Sequence, residues 1–321
     1  MSYRAFLSEQ DFEKRMQSEV LPYLRARRHE ERYTTKTGAT LFNVRFSADD
    51  PRGSVVILHG MSENTEKYRE LTYYFLKNGL SVFIYDQRGH GRSTRVAENS
   101  VVYVKKFKEY VSDLKELLLA YGEMLPTPHY LFSHSMGGAV AALYLEQDQT
   151  FFSRALFCSP MIKLHVKGAP MPLLRAMCRF ETAIGNGKKR LRMLSPALPP
   201  EKEELRGASC ASPARFEAYR AAKIDNPRLR GAKPSYGWIN ESLAVTKLIL
   251  ARKRPERIKI PVRLYSAERD NLVKFAPQRA FAKRVPNCDL LLMSGAKHEL
   301  FNECDKISHV FFEELLAFFE A

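Results

Sequence analysis

Apolar residues first recur at every fourth position, at Phe12, Met16, Val20 and Leu24. That spacing predicts a helical stripe over residues 9–27, interrupted at Pro22, which has no N–H to donate. Two strand-like stretches follow, at 32–37 and 41–46, turning through Thr-Gly-Ala, and a tight hairpin fits them. From residue 54 the pattern changes. Val55, Val56, Ile57 and Leu58 form an unbroken apolar run, as in a strand buried on both faces. A helical stretch at 67–77 leads to a second such strand at 80–85. An amphipathic helix at 107–121, a strand at 130–133, a helix from 136 to about 146 and a strand at 155–158 continue the alternation. It stops near Lys163 and resumes with a strand at 261–265, a helix at 277–284 and a strand at 289–293. The final helix, about 307–319, is expected to bury Val310, Phe311, Leu315 and Phe318. Strands alternating with helices predict an α/β fold, a mostly parallel sheet covered on both faces.

The interruption is about a hundred residues long, well beyond an ordinary connection. It carries Pro170, Pro172, Pro196, Pro199 and Pro200 among helix-like pieces. The chain therefore divides into a core of residues 1–162 and 260–321 and an inserted lid of residues 163–259.

One junction in the core points to chemistry. Leu131-Phe132-Ser133-His134-Ser135-Met136-Gly137-Gly138 follows an apolar run and opens a helix-like one. A serine so placed fits a nucleophile elbow, a strand-to-helix turn whose strained backbone needs small residues two places to either side. Ser133 and Gly137 hold those places, with Ser133 where the pattern usually has glycine. A serine hydroxyl is a poor nucleophile at neutral pH and needs a base, which in turn needs an orienting carboxylate. In a sheet of this kind the acid and then the histidine follow the serine in chain order, on loops after later strands. The strand at 261–265 runs into Glu268 and Asp270, and the strand at 289–293 runs into His298. Asp270 is placed ahead as the acid, and Glu268 competes because either could reach the imidazole if the loop turned differently.

The developing oxyanion of acyl transfer calls for two backbone N–H donors. Met136, directly after the serine and first in its helix, is one candidate. The other is Met61, after Leu58-His59-Gly60 at the end of the first central strand. His59 reads as structural, and His134 as packed under the elbow rather than as a base. The loop Tyr85-Asp86-Gln87-Arg88-Gly89-His90-Gly91-Arg92-Ser93 matches no nucleotide-binding pattern. It reads as a tight loop against the elbow, with Arg88 hydrogen-bonding carbonyls. No metal-ligand spacing appears, and no cofactor is implied.

These strings together resemble the α/β-hydrolase superfamily, and within it the monoacylglycerol lipase and lysophospholipase branch, notably its bacterial lysophospholipases. The likeness rests on His59-Gly60, the Asp86-Gln-Arg-Gly-His-Gly-Arg-Ser loop, Ser133-His-Ser-Met-Gly-Gly, Asp270 and His298. It extends through Pro234-Ser-Tyr-Gly-Trp238-Ile-Asn-Glu-Ser242 and Gly295-Ala-Lys-His-Glu-Leu. It implies an α/β-hydrolase fold and a serine esterase acting on lysophospholipids or monoacylglycerols; the residues alone reach only acyl transfer to water, which keeps a general carboxylesterase as an alternative. A peptidase related to proline iminopeptidases would need acidic residues in the lid to hold a substrate ammonium. A non-catalytic binding protein would have a damaged triad, and this one is intact in sequence.

Composition adds one discriminating feature. The formal net charge is +15, and residues 163–259 hold 22 Lys+Arg against 8 Asp+Glu, +14 of that excess. Such a field attracts anionic surfaces, whether lipid headgroups or nucleic acid, although a solvated face is the plainer reading. No nucleic-acid motif accompanies the charge, so a lipid ester with an anionic headgroup, or contact with an anionic membrane, is favoured. Five cysteines without a CxxC pair read as reduced thiols. No signal peptide or spanning run of about 18 apolar residues is evident. A cytoplasmic enzyme, peripheral to the membrane at most, is expected.

Overall fold

The computed structural model describes residues 3–97, 101–164, 170–194 and 197–321. Its main sheet uses β1 (Arg28–Thr34), β2 (Thr40–Phe46), β3 (Gly53–Leu58), β4 (Leu80–Tyr85), β6 (His129–His134), β7 (Arg154–Cys158), β9 (Val262–Ala267) and β10 (Cys288–Met293). Two-residue strands β5 (Val101–Val102) and β8 (Lys233–Pro234) pair separately. The eight strands run in the order β1-β2-β4-β3-β6-β7-β9-β10. β1, β2 and β4 pair antiparallel, and every other pair is parallel.

Strand residues sort by parity onto two apolar layers, because successive side chains point to opposite faces. Val56, Leu58, Phe83, Leu131 and Phe157 join one layer. Val55, Ile57, Val82, Ile84, Phe132 and Leu156 join the other. The helices are α1 (Phe12–Arg15), α2 (Leu21–Ala26), α3 (Arg69–Lys77), α4 (Lys108–Tyr121), α5 (Met136–Leu145), α6 (Met171–Ala183), α7 (Pro213–Asp225), α8 (Tyr236–Ile249), α9 (Phe275–Ala282) and α10 (Asp305–Glu320). α4, α5 and α8 pack on the first layer, and α1, α2, α3 and α10 on the second.

The amino-terminal stripe shows how a repeat of four is accommodated. Phe12, Met16, Val20 and Leu24 are all buried. A repeat of four would drift around a helix of 3.6 residues per turn. A π-helical turn at Met16–Val20 between α1 and α2 widens the turn and keeps the four residues in line. Pro22 sits in the first turn of α2, where a missing N–H costs little.

Three expectations shift. The first hairpin strand lies four residues earlier than its pattern placed it, and the turn opens at Thr35–Ala39 with Gly38 at φ +81°. In α10, Phe311, Leu315 and Phe318 are buried, but Val310 is 46% exposed. The inward face there belongs to Phe312, Leu316 and Phe319 as well, and Val310 lies outside that arc. Arg88 does not hydrogen-bond carbonyls. Its guanidinium meets the carboxylates of Asp113 and Glu109, at 2.5 and 2.6 Å, because α4 brings both beside it.

The chain leaves β3 for β4 on one side and later returns to β6 on the other, so the strand order reverses at the β3–β6 boundary. The carboxyl ends flanking such a reversal are where open α/β sheets form their clefts.

Candidate active site

Ser135 stands at that boundary, between β6 and α5, with φ +51° and ψ −114°. An L-residue in this region is strained and persists only where its surroundings fix it. Here the serine N–H donates to the Cys158 carbonyl at 3.1 Å, and its own carbonyl accepts from Met161 and Gly138 at 2.8 and 2.9 Å. Gly137 is obligatory on the helix side, since a Cβ there would lie 2.1 Å from the Leu58 carbonyl oxygen. α5 thereby approaches the carboxyl end of β3 closely. The Met136 N–H is the first of α5 and has no partner within that helix.

His298 lies on the loop after β10 and is 3% exposed. Its Nδ1 donates to Asp270 Oδ2 at 2.6 Å. The other Asp270 oxygen accepts from the Leu272 and Val273 N–H groups at 2.8 and 3.0 Å. Burial would raise the Asp270 pKa. The His298 hydrogen bond and charge and the two N–H donors outweigh it, so the carboxyl is held below its ordinary 3.8. Glu268 turns away and accepts from Ser294 Oγ and the Gly295 N–H at 2.9 and 2.7 Å, which closes the loop after β10. The His298 Nε2 atom is buried without a hydrogen-bond partner among the described residues.

His134 packs beneath the elbow, its ring 4.7 Å from that of His298 and its Nε2 3.3 Å from the His298 carbonyl. His59 is fully buried, accepts from the Gln87 N–H at 2.9 Å and donates to the Gly60 carbonyl at 2.7 Å. Sequence reasoning passed over Glu63, Lys67 and Glu299, which form a buried ionic chain behind the site. The available signal was charge directly flanking the motif loops, at Gly60-Met-Ser-Glu63 and His298-Glu299. Among the described residues no group of three or more His, Cys, Asp or Glu is placed to hold a metal ion. All five cysteines are free.

Residues 49–305 match the family model described as serine aminopeptidase, S33 (Hydrolase_4). The chain belongs to this α/β-hydrolase family. It is 29% identical over 294 residues to lysophospholipase L2 of Escherichia coli, covering 86% of this chain and 83% of that one. It is 28% identical over 260 residues to a monoacylglycerol lipase of Mycolicibacterium smegmatis, covering 79% and 84%. In fold, this hydrolase superposes on a soluble variant of the Saccharomyces cerevisiae monoglyceride lipase with TM-score 0.71 and 20% identity, covering 91% and 96%.

Proposed function

We propose that this hydrolase cleaves carboxylic esters of lipids, lysophospholipids above all, through an acyl-enzyme on Ser135. The observation that supports the reading is a backbone-strained serine at the N-terminus of α5, together with a buried histidine whose Nδ1 is fixed on Asp270 and whose Nε2 has no partner among the described residues. Ser135 Oγ attacks the ester carbonyl carbon as His298 Nε2 takes its proton. The Met61 and Met136 N–H groups hold the oxyanion. The tetrahedral adduct collapses, the alcohol leaves with the proton from His298, and an acyl-serine remains. Water repeats the sequence with His298 as base, which releases the fatty acid and restores the Ser135 hydroxyl. Asp270 orients the imidazole and stabilises its cation.

The lysophospholipid preference draws on two supports. The relative in Escherichia coli carries that name, and residues 163–259, which we read as a lid over the site, carry most of the chain's positive charge. The monoacylglycerol lipase of Mycolicibacterium smegmatis favours a second reading, in which the neutral monoester is the substrate. A peptidase reading, as the family description allows, would need a free carboxylate for the substrate ammonium. Glu63 and Glu299, the carboxylates beside the motif loops, are both committed to Lys67.

Membrane contact through the lid belongs to the same proposal. Among the described residues no helix is long and apolar enough to cross a membrane. α6, however, leaves Leu173, Phe180 and Ile184 exposed, with Arg179, Lys188, Lys189 and Arg192 exposed on and after it. Apolar residues among cations suit an anionic lipid surface. The test is turnover of a lysophosphatidylglycerol, a monoacylglycerol and a short-chain nitrophenyl ester by the native chain and by Ser135→Ala. Loss of all three in the variant is expected, and retained hydrolysis would remove Ser135 from the mechanism. Faster turnover of the monoacylglycerol would decide for the second reading, and equal turnover would remove the lid charge from substrate choice.

A further inference from the structure

Lys67 is a buried ammonium shared by two loops that meet nowhere else in sequence. Its side chain is 7% exposed. It lies 2.9 Å from Glu63 Oε1 and 2.6 Å from Glu299 Oε1. Glu63 belongs to the loop that offers the Met61 N–H. Its Oε2 accepts from the Gly60 N–H and the Tyr68 hydroxyl, each at 2.6 Å, and faces His134 Nδ1 at 3.2 Å. Glu299 follows His298 directly, and its own N–H donates to the Ser209 carbonyl at 2.9 Å. Lys67 also stacks 5.1 Å from the ring centre of Tyr219 in α7, whose hydroxyl accepts from Asn64 at 2.8 Å.

We propose that Lys67 is a positioning residue that fixes the oxyanion loop relative to the histidine loop, and that Tyr219 of the lid completes its enclosure. The inference rests on the Ser135–His298–Asp270 reading above. An interior cation between two carboxylates is held strongly because little water screens it. Its removal leaves two buried carboxylates facing each other, and a like pair in the interior does not tolerate both charges. The loops then relax apart. Burial would lower the Lys67 pKa, but Glu299 and Glu63 more than reverse this and keep it charged. Small displacements of a donor from the oxyanion, or of the base from the nucleophile, are costly in rate. Tyr219 contributes the face of its ring, which attracts a desolvated cation. The lid thereby reports its docked position to both loops through one ammonium.

A plain structural ion pair would alter stability and leave each folded active site as fast as before, so the readout is kcat per competent serine. The full chain is titrated with a fluorophosphonate, and steady-state hydrolysis of nitrophenyl butyrate is measured beside thermal unfolding. For Lys67→Met, kcat per titrated site is expected to fall about tenfold or more with KM little changed. Lys67→Arg restores most of it. Tyr219→Leu loses part of it, and Tyr219→Phe, which keeps the ring, loses less. Should Lys67→Met fail to fold, Glu299→Gln, which leaves the Lys67–Glu63 pair intact, is expected to lower kcat per site by a smaller factor. An unchanged kcat per site in the variant that folds, or a loss that arginine does not recover, overturns the proposal. A native chain that the fluorophosphonate does not label at Ser135 fails earlier and overturns the triad reading with it.

Discussion

Ser133 and Gly137 stand two places to either side of Ser135, and the structure treats them differently. Gly137 faces the Leu58 carbonyl oxygen at a distance no Cβ can occupy. Ser133 lies within β6, fully buried, with Oγ donating to the Leu156 carbonyl at 3.2 Å. Its side chain fills a strand position and satisfies itself on the neighbouring strand. Ser133→Gly is therefore expected to leave kcat unchanged and to cost about 1–2 kcal/mol of unfolding free energy, from strand entropy and a lost hydrogen bond. Gly137→Ala is expected to abolish labelling of Ser135. Denaturant titration beside ester hydrolysis checks both. The acid loop separates in the same way. Asp270→Asn, which leaves the imidazole without its carboxylate, is expected to lower kcat on the order of a thousandfold, whereas Glu268→Gln keeps it within about twofold. A Glu268 variant as damaged as the Asp270 one would reverse the assignment. The places of Ser135, Asp270 and His298 just after β6, β9 and β10 were legible because chain order and strand ends are set by the architecture itself. Glu63, Lys67 and Glu299 were not, because a charged residue in a loop is ordinarily solvated and only the folded chain shows these three to be buried.

Elements were legible where one face is buried against a sheet and the period is regular. β4 runs over Leu80–Tyr85, as its apolar run placed it, and α5 ends one residue short of its expected end. The segment between β7 and β9 was opaque, since its prolines break periodicity and α6 leaves apolar residues uncovered. α8 is the clearest case. Its Trp238, Ile239 and Leu243 join the apolar layer that holds α5, so this part of the segment is continuous with the sheet's packing. Junctions between elements were also hidden. Glu66 has no exposed side-chain surface and binds Arg28 of β1, Arg69 of α3 and Arg92 of the loop after β4, at 2.5 to 2.6 Å. Burial alone would raise its pKa, but the arginines reverse this and hold it at about 2 against 4.5 in an unfolded chain. Because the folded value is depressed, the unfolded state binds the proton first. The stabilisation is complete above about pH 4.5 and is lost as pH falls toward 2. Glu66→Gln is expected to cost about 3 kcal/mol near neutrality, at 1.36 kcal/mol per pK unit, and the gap to the native chain should close on acidification. Urea unfolding at pH 7 and at pH 3 measures it, and a gap that does not shrink with acid would locate the cost in packing instead of charge.

At the scale of the whole molecule, the +14 of residues 163–259 divides into two populations. Some of its cations fasten this segment to the rest of the chain: Arg215 to Glu70 and Asp305, each at 2.9 Å, and Arg254 to Glu146 at 2.6 Å. Those are consumed within the fold and contribute little field. Arg179, Lys188, Lys189 and Arg192 stay exposed beside the uncovered Leu173, Phe180 and Ile184. The two populations answer to different perturbations. Charge at a surface is screened by salt over about 10 Å at 0.1 M, and each lysine or arginine near an anionic bilayer is worth about 1 kcal/mol. Apolar contact survives salt. Vesicles of phosphatidylglycerol should therefore bind the protein at low ionic strength, lose much of it as salt rises, and bind better than vesicles of neutral phosphatidylcholine throughout. Phe180→Ser with Ile184→Ser should remove a salt-independent part, about 2 kcal/mol or on the order of thirtyfold in partition, since both side chains are already half-exposed and little else packs on them. Hydrolysis of a dissolved nitrophenyl ester by the same variant should be unchanged, because neither residue belongs to the elbow, the acid loop or the histidine loop. Vesicle sedimentation paired with that assay separates the cases. A loss of both binding and soluble-ester turnover would mean that α6 supports the site itself, and undiminished binding would place the lipid contact elsewhere on the molecule.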